Sequence, residues 1–549
     1  MTDLQSSDEL LYFDAYAAIG RFNRRDPEAR WSLEHLREDL ELAGIAGALV
    51  HHHLALQYEP MLGNRRLIKE IAPYRSQLWP CWVAMPDAGG DFSSASALAD
   101  AMRHDDVRAV RIDPLGLGLP LTERVWLPLI KQMRNLGTLA LLPVPYGPWD
   151  ADKLDRFLTL ATGVPVLLCG CSWRQWRPLA ALMNMHEHLH LEFSLFQGNR
   201  AMEWFAQRFG AERCLFGTGL PHRAPGAARG FVDFTLLSRQ EATLIAGGNL
   251  HRLLGTGPDH PPKPGKWHDS ITTALRQGQP VPCEVLDAHC HIGHDGCTSL
   301  APNVIAHRGD ANGMLELTRR AGIDRTAIMS WAGPLSNETD LGNQIVEDAV
   351  CRHSDSFIGL ATVNPDYDSP SKIEQIIRRY HEELGFPGLK TFTPCQTIDY
   401  DDPKLDAWLR YADEHQLYMV FDPKGGTHAT ECARHLSKRY PNLSIHLDHC
   451  GQSWEYARWA VSLLQELPNL VAQLNFTTVT NGVIEYLVRE LGAHRVLFGT
   501  DAPMRDPRPQ VAWLTFTRLS EEQKRDIFGM NFKAVLARAA TGKPASSPA

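Results

Sequence analysis

Short apolar segments alternate with amphipathic segments along the second half of the chain. The apolar segments are rich in β-branched residues, which is typical of buried parallel strands, and they cover residues 284–289, 325–330, 357–363, 388–392, 417–422, 443–449, 470–475 and 495–501. Between them, stretches such as PKLDAWLRYADEHQ (403–416) place apolar residues at helical spacing. Eight strands with eight crossovers in about 260 residues predict an α/β fold, the (β/α)8 TIM-type barrel.

The first half of the chain repeats the same plan. FDAYAAIG at 13–20 corresponds to LDAHCHIG at 286–293, and AERCLFGTGLP at 211–221 matches AHRVLFGTDAP at 493–503 at seven of eleven positions. Further matches follow in the same order, and the offset between the paired segments drifts only from 273 to 282 residues. The pattern therefore predicts an internal duplication, with two tandem barrels in one chain.

A stretch of low apolar content separates the two copies. TGPDHPPKPGKWHDS, at 256–270, is rich in Pro and Gly and has no apolar period, which is typical of an interdomain linker. We therefore predict a first barrel over residues 1–258, a linker over 259–282 that includes a short helix, and a second barrel over 283–549. A chain of 549 residues is long enough for two such domains.

Composition and charge narrow the range of partners. The net charge is −9 and the chain has no run of basic residues, which argues against a nucleic-acid partner. It has neither a signal-peptide pattern at its start nor an apolar window long enough to span a bilayer, and its eleven cysteines include no CxxC pair. We therefore expect a cytoplasmic protein with reduced thiols that acts on a small molecule.

Polar side chains fall at the carboxyl ends of the predicted strands of the second copy, where a barrel builds its active face. They are His289 and His291 in strand one, Lys390 in strand four, Asp422 in strand five, His449 in strand six and Asp501 in strand eight. Neutral imidazole and carboxylate are ligands that suit Zn²⁺, Mn²⁺ or Fe²⁺. This set predicts one divalent metal per chain, with Zn²⁺ preferred and Mn²⁺ or Fe²⁺ as alternatives.

An HxH pair alone is weak evidence, because a chain with 24 histidines contains such pairs by chance. We expect structural roles for the other clusters, which are His51–His53 at the end of the predicted second strand and His186, His188 and His190 near the seventh. The pair at 289 and 291 differs, because the same barrel also supplies His449 and Asp501 at the matching strand ends.

The ordered motifs DAHCHIG, GLK, HLDHCG and LFGTDAP, followed by GMNFKAVL, resemble the amidohydrolase superfamily, specifically its amidohydrolase-2 branch. The resemblance covers the whole second copy. It implies a barrel that binds one divalent metal through His289, His291, Asp501 and a histidine in strand five, with His449 in acid–base catalysis.

Three residues depart from this pattern or extend it. Asp422 stands where the family has the strand-five histidine, so it is either a metal ligand or a carboxylate that caps the following loop. Lys390 either stabilises an anionic substrate or oxyanion as a catalytic group, or pairs with an interior carboxylate. Arg505 either binds a substrate carboxylate or forms a loop salt bridge.

The first copy lacks every one of these ligands. Tyr16 and Ala18 replace the HxH pair, and Pro143, Gly170 and Gly219 stand opposite Asp422, His449 and Asp501. We therefore expect a degenerate barrel that binds no metal in the family manner and that supports the second barrel as an intramolecular pseudo-dimer, with a homo-oligomer also possible.

The favoured function is metal-dependent hydrolysis of an amide, a lactone or a related carbonyl bond. Metal-activated water would attack the substrate while Asp501 or His449 moves the proton. The first alternative is a non-oxidative, metal-dependent decarboxylase of a small carboxylic acid. The second, from another class, is a non-catalytic scaffold or binding subunit.

Overall fold

The chain forms two compact units, each built around one sheet of eight parallel strands. The structure, a computed structural model, describes residues 9–22, 28–145, 149–263, 265–293, 308–393, 396–423 and 425–541. The first unit contains the residues up to His268 together with Thr272–Gly278, and the second contains Asp269–Ile271 together with the residues from Gln279 onward. The tandem (β/α)8 architecture is confirmed, and the domain ends at 258 and 283 stay predictions.

In the first unit the strands follow one another around the sheet in chain order. They are β1 Tyr12–Ile19, β2 Ile45–His52, β3 Leu78–Val83, β4 Ala109–Arg111, β5 Leu139–Pro143, β6 Val166–Cys169, β7 Leu189–Glu192 and β8 Cys214–Leu215. The two edges of the sheet meet, because Ala17 bridges Leu220 and the amide of Ala15 donates to the carbonyl of Phe216 at 3.0 Å. Contacts between β1 and the end of β8 are what closure of a barrel requires.

Helices connect successive strands of the first barrel. They are α1 Leu33–Leu42, α2 His53–Gln57, α3 Pro60–Ile71, α4 Ala95–His104, α5 Glu123–Leu136, α6 Ala151–Leu160, α7 Trp176–Met185, α8 Ala201–Phe209, α9 Pro225–Asp233, α10 Arg239–Thr243 and α11 Asn249–Leu254. The predicted short helix of the linker is α12, Ser270–Arg276. One π-helical turn, Leu244–Gly248, joins α10 to α11.

The second unit repeats this arrangement with the same strand order. Its strands are β9 Leu286–Ile292, β10 Arg325–Ser330, β11 Phe357–Thr362, β12 Gly388–Lys390, β13 Tyr418–Phe421, β14 Ser444–Leu447, β15 Leu470–Leu474 and β16 Val496–Phe498. Seven of the eight predicted apolar segments contain one of these strands, and the first segment, 284–289, overlaps β9, which extends to Ile292. The amide of Asp501 donates to the carbonyl of His289 at 2.9 Å, which brings the segment after β16 against β9.

The helices of the second barrel are α13 Ala311–Arg320, α14 Thr339–Arg352, α15 Pro370–Ile376, α16 Asp406–Glu414, α17 Gly426–Arg439, α18 Trp454–Glu466, α19 Val483–Leu491, α20 Pro507–Thr515, α21 Glu521–Arg525 and α22 Asn531–Thr541. Side chains that accept from backbone amides mark several helix starts, as Asp310 does for α13 and Ser453 does for α18. A second π-helical segment, Ile377–Glu383, follows α15, and a third, Asp526–Met530, precedes α22 at the position of the one in the first barrel. Within the described part of the chain, no helix is both long and apolar enough to cross a membrane.

Each barrel has its own buried apolar core. The core lies below the end of the barrel at which the carboxyl ends of the strands meet, and this end is called the mouth. In the first, Phe13, Leu49, Trp79, Leu139 and Leu167 belong to one apolar cluster. In the second, the corresponding cluster includes Leu286, Met329, Leu360, Tyr418 and Phe532. Because strands of a TIM barrel are covered on both faces, the apolar segments form continuous runs rather than alternating with polar residues.

Candidate metal centre and substrate pocket

The HxH pair lies on β9 and points into the mouth of the second barrel. Both imidazoles are buried, as is Asp287, whose carboxylate accepts from the amide of His289 at 3.0 Å and from the amide of Thr500 at 3.1 Å. The hydroxyl of Thr500 also donates to Asp287. Asp287 therefore ties the start of the HxH strand to the loop that carries Asp501, and it fixes the candidate ligands on these two segments relative to each other.

His289, His291 and Asp501 converge on one point. The Nε2 atom of His291 lies 2.8 Å from Asp501 Oδ1 and 3.4 Å from His289 Nε2, and His289 Nε2 lies 3.7 Å from the same carboxylate oxygen. Three side chains of this kind, with ligand atoms within a few ångströms of one another, match the ligand number of a catalytic zinc site that leaves a position open.

The protonation states of these side chains also fit a divalent cation. His289 Nδ1 faces two acceptors, Gln473 Oε1 at 2.9 Å and Asp448 Oδ1 at 3.2 Å, so this nitrogen donates and Nε2 presents its lone pair to the centre. Burial, followed by the charges of neighbours such as Lys390, holds the pKa of His291 well below its ordinary value, so that imidazole is neutral. Metal ligation requires neutral imidazoles and an ionised carboxylate.

A second group, Asp422, Asp448 and His449, lies beside the first. His449 Nδ1 is 3.4 Å from Asp422 Oδ1, and its Nε2 is 3.6 Å from both Asp448 Oδ2 and Asp501 Oδ2. Lys390 Nζ lies 3.5 Å from Asp448 Oδ2 and 3.9 Å from Asp422 Oδ2. The sequence left Lys390 with two possible roles, and the structure pairs it with two carboxylates inside the pocket.

These carboxylates are ionised. Burial raises the pKa of Asp422, but His449 and Lys390 outweigh it and bring the pKa below the ordinary value. The pKa of Asp448 lies well below its usual range because, although burial raises it, His289, His449 and Lys390 all stabilise the anion. The pocket therefore contains two buried anions, Asp422 and Asp448, which both contact the Lys390 ammonium and the His449 ring.

Arg505 lies four residues after Asp501 and contacts it. Its guanidinium contacts the Asp501 carboxylate, and it stacks over the Phe476 ring at 4.8 Å. Its side chain is only 5% exposed, so it is not the surface loop salt bridge that was one of its two predicted roles. Its position at the pocket leaves the other role, contact with a substrate carboxylate, available.

All seven predicted site residues line one cavity of about 90 Å³: His289, His291, Lys390, Asp422, His449, Asp501 and Arg505. The rest of its wall consists of Asp448 and five apolar side chains, Trp331, Pro334, Leu335, Phe392 and Met504. The Trp331 ring lies 4.8 Å from that of His291. A cavity well below the roughly 300 to 1,000 Å³ of drug-sized pockets suits a small substrate.

Sequence reasoning missed Asp448, Gln473 and the aromatic wall. Side chains alternate along a strand, so a site residue at His449 argues that its neighbour Asp448 faces away. In the structure His449 has a left-handed backbone with φ 59°, and both side chains turn into the pocket. The adjacent carboxylate and imidazole in the HLDHC motif were the available signal.

The histidine clusters outside this site have different surroundings. His186 Nε2 contacts Asp155 Oδ1 at 2.7 Å, and the ring nitrogens of His188 and His190 contact backbone carbonyls. His51 and His53 lie at the mouth of the first barrel, where their rings are 5.5 Å apart. Among the residues that the structure describes, both groups of three side chains suited to a metal ion lie in the second barrel.

A comparison with protein-family models finds a match in the second barrel. The sequence model of the family described as Amidohydrolase matches residues 286–537. A search of curated proteins found no match.

Similar solved structures each cover about half of the chain. An uncharacterised TIM-barrel protein, Bb4693 from Bordetella bronchiseptica, is 14% identical over 47% of this chain and 99% of its own, with a TM-score of 0.39. The 5-carboxyvanillate decarboxylase LigW from Sphingomonas paucimobilis is 16% identical over 46% and 99%, with a TM-score of 0.38. A 2,6-dihydroxybenzoate decarboxylase from Rhizobium is 16% identical over 46% and 99%, with a TM-score of 0.37.

The match with the family model begins at the first residue of β9 and ends within α22. It therefore contains the whole second sheet and the whole candidate metal centre. The second barrel of this chain therefore carries the match to the amidohydrolase family model, and the first barrel repeats the same (β/α)8 architecture.

Proposed function

We propose that the second barrel is a metal-dependent enzyme that removes CO₂ from a small carboxylic acid without oxidation. The observation that carries this proposal is a small, largely apolar cavity in which two cations, Lys390 and Arg505, stand against three carboxylates and a set of metal-ligating imidazoles. Hydrolysis of a carbonyl bond, which the sequence favoured, is the second candidate.

The metal would be held by His289, His291 and Asp501, with Zn²⁺, Mn²⁺ and Fe²⁺ as the cations that suit this donor set. When bound, such a cation acts as a Lewis acid that binds and polarises substrate oxygens. Asp422 stays a candidate ligand, but its contacts with His449 and Lys390 favour a role in positioning those two side chains.

The charges around the pocket favour an anionic substrate. The carboxylates of Asp422, Asp448 and Asp501 exceed the cations of Lys390 and Arg505 by one. A divalent cation would therefore leave the pocket with a net positive charge, which is larger still when His449 holds the proton to be transferred, and an anionic substrate offsets that charge. In a buried site of low dielectric, this balance matters more than it would at the surface.

The size and lining of the cavity favour loss of CO₂ over hydrolysis. A cavity of about 90 Å³ walled by Trp331, Phe392 and Met504 holds one small, flat molecule and little water. Hydrolysis needs an attacking water beside the substrate. Decarboxylation needs no water, and a carboxylate loses its stabilising hydration in apolar surroundings.

His449 is positioned to supply the proton that replaces CO₂. When the bond between the substrate carbon and its carboxyl group breaks, the electron pair stays on that carbon and takes up a proton. His449 lies 3.4 to 3.6 Å from three carboxylates, and those anions stabilise the imidazole while it holds a proton. Asp422 and Asp448 therefore act through His449 as positioning residues.

Hydrolysis of a lactone or amide remains the second candidate because the same groups could serve it. His449 or Asp501 would accept a proton from water, and the Lys390 ammonium would stabilise a developing oxyanion. For the first barrel we propose a non-catalytic role, supported by Tyr16, Ala18 and Gly219 in place of the metal ligands. Pseudo-dimer formation, a homo-oligomer and a cytoplasmic location stay predictions.

The test combines metal analysis with detection of CO₂. Elemental mass spectrometry of the full chain should find about one divalent metal per molecule, and His289→Ala or Asp501→Ala should remove it. His428→Ala is the matched control, because His428 is an exposed imidazole of the same barrel whose partner is Asp399. It should keep the metal.

The loaded protein is then screened against small aromatic and enolic acids in D₂O. Release of CO₂ with one deuterium on the carbon that carried the carboxyl group, lost in His449→Asn, supports the proposal. Hydrolysis of lactones or amides without CO₂ would replace it with the second candidate. Absence of both metal and turnover would favour the scaffold alternative.

A further inference from the structure

The mouth of the first barrel contains a buried polar cluster that the proposed function does not use. Its members lie in the second half of β1, at the carboxyl ends of β2 and β4 and in the loop after β8, the edge where the second barrel carries its candidate metal centre. They are Tyr16, His51, His53, Arg111 and His222. The sequence predicted a structural role for His51–His53 and gave no role to Arg111 or His222.

Ring contacts join these side chains into one group. The His53 ring lies 5.5 Å from the rings of both His51 and His222, and Tyr16 stacks on His51 at 6.1 Å. Arg111 Nη1 donates to the Tyr16 hydroxyl at 3.4 Å. These side chains therefore form one contact network at the barrel mouth.

Two polar atoms of this cluster lack partners. His53 Nε2 and Arg111 Nε are buried, and neither has a hydrogen-bond partner among the described residues. A buried donor without a partner costs about 1 to 3 kcal/mol. A ligand that accepts hydrogen bonds would remove this cost.

Comparison of the two mouths shows a change of charge. Arg111 ends β4 as Lys390 ends β12, and Arg223 follows Pro221 as Arg505 follows Pro503, so both cations are kept. The three carboxylates are not: Pro143, Cys169 and Gly219 stand opposite Asp422, Asp448 and Asp501. The first mouth has thus kept the positive charges of the site and lost the negative ones.

The remaining carboxylate of this region is already occupied. Glu192 accepts from the amides of Gly170 and Ser194 at 2.5 and 2.6 Å and from the Ser194 hydroxyl at 2.9 Å. Those bonds hold it against the backbone. Within the described part of the mouth, Arg111 therefore has no carboxylate as a hydrogen-bond partner.

The three histidines are neutral and do not form a metal site. Burial, together with the nearby cations, lowers the pKa of His53 to about 2 and that of His222 to about 4, and it lowers the pKa of His51 well below its ordinary value. Within the described residues, their nitrogen atoms do not form a group close enough to share one metal ion. Neutral imidazoles can donate hydrogen bonds to an anion.

We propose that the mouth of the first barrel binds a small oxyanion, with Arg111 as its charge partner and His53 as a hydrogen-bond donor. The rings of Tyr16 and of Phe22, which lies 4.2 Å from both His53 and His222, favour a planar carboxylate over phosphate. This site is independent of the metal centre and of the reaction proposed for the second barrel.

Titration calorimetry on the full chain tests this proposal with two probes, benzoate and inorganic phosphate. We expect a saturable event with a dissociation constant near 1 mM that is separate from any binding of benzoate in the second barrel. Arg111→Gln should weaken it by about tenfold or more, whereas Arg111→Lys, which keeps the charge, should stay within about threefold. The probe that binds more tightly identifies the oxyanion as a carboxylate or a phosphate.

Lys390→Gln is the control for binding in the second barrel, and the event should survive it. If Arg111→Gln does not fold, His53→Phe replaces it, because Trp331 shows that an aromatic side chain fits the corresponding position of the second barrel. This variant should also weaken the event. Binding that survives both first-barrel substitutions, binding that Lys390→Gln abolishes, or no saturable binding of either probe would overturn the proposal.

Discussion

The two barrels share the hydrogen bonds that hold the scaffold together. Asp14 accepts from the amide of Thr218 at 2.9 Å, and Asp287 accepts from the amide of Thr500 at 3.1 Å. Asn249 donates to the carbonyls of Ala211 and Cys214, and Asn531 donates to those of Ala493 and Val496. In both barrels these acceptors lie just before the last strand and at its first residue. A protein that kept these bonds in both copies kept the parts of the sequence that specify the fold.

The barrels differ at the positions that carry chemistry. His449 and Asp501 have left-handed backbones, with φ of 59° and 61°, and glycines occupy both positions in the first barrel, with φ of 74° for Gly170 and 71° for Gly219. A residue with a Cβ atom pays about 1 to 2 kcal/mol for this conformation. The comparison teaches that the second barrel retains backbone strain where it needs side chains, and that the first barrel does not.

The largest effect should come from two asparagines that make equivalent bonds. Asn64 in α3 donates to the Val83 carbonyl and accepts from the Val83 amide, both at 2.9 Å, and Asn343 in α14 makes the same pair of bonds to Thr362 at 2.8 Å. Replacement by Ala leaves a buried N–H and C=O without partners. We expect each variant to lose about 2 to 4 kcal/mol of unfolding free energy.

Calorimetry of the full chain measures this and distinguishes the barrels, because each variant serves as the control for the other. Asn64→Ala should shift one unfolding transition and Asn343→Ala another. If both variants shift one common transition by the same amount, the two barrels unfold as a single unit, and they are not two scaffolds of independent stability.

A smaller effect should appear in the pH dependence of the first barrel. Burial raises the pKa of Asp14 from 3.8 to about 6. Because the folded-state pKa is raised, the neutral carboxyl favours the folded state at low pH, and this contribution is lost as the pH rises through about 6. Between about pH 5 and pH 7.5 the loss should be about 1.4 kcal/mol.

Asp14→Asn is the matched variant, because an amide keeps an acceptor for the amides of Tyr16 and Thr218 and does not titrate. Chemical unfolding at the two pH values, compared between wild type and variant, isolates the contribution of this one group. Equal pH dependence in both proteins would show that Asp14 is ionised throughout, and that its burial is compensated by its hydrogen bonds.

Much of this architecture could be predicted from the sequence. Buried parallel strands are short apolar runs, so all eight strands of the second barrel were found, and their ends placed His289, Lys390 and Asp501 at one mouth. Duplication strengthened the prediction, because the first copy shows which residues the fold needs and which residues the chemistry needs.

The remainder depends on local backbone geometry and on loops. The alternation of side chains hid Asp448, because a left-handed residue at His449 is not visible in a strand pattern. Trp331 and Phe392 follow strand ends, and loop conformation decides whether such side chains line the pocket. Arg111 was missed because the first copy was judged only by the ligands it lacks.

The smallest predicted effect tests the strain that separates the barrels. A Cβ atom at Gly170 would meet only Val144 O, at 3.7 Å, which is ordinary contact, so Gly170→Ala measures the backbone cost without a clash. Gly219 is less suitable, because its added Cβ would lie 2.6 Å from Arg223 Nη1. We expect Gly170→Ala to lower the unfolding free energy by about 1 kcal/mol.

The matching experiment in the second barrel compares two variants of His449, one to Gly and one to Ala. Both remove the imidazole, so both should abolish turnover, and they differ only in whether the left-handed residue carries a Cβ atom. The glycine variant should be the more stable by about 1 kcal/mol in thermal unfolding. Equal stability of the two variants would mean that the backbone at His449 relaxes once the side chain is gone, and that the imidazole's contacts, rather than the fold, impose the left-handed conformation there.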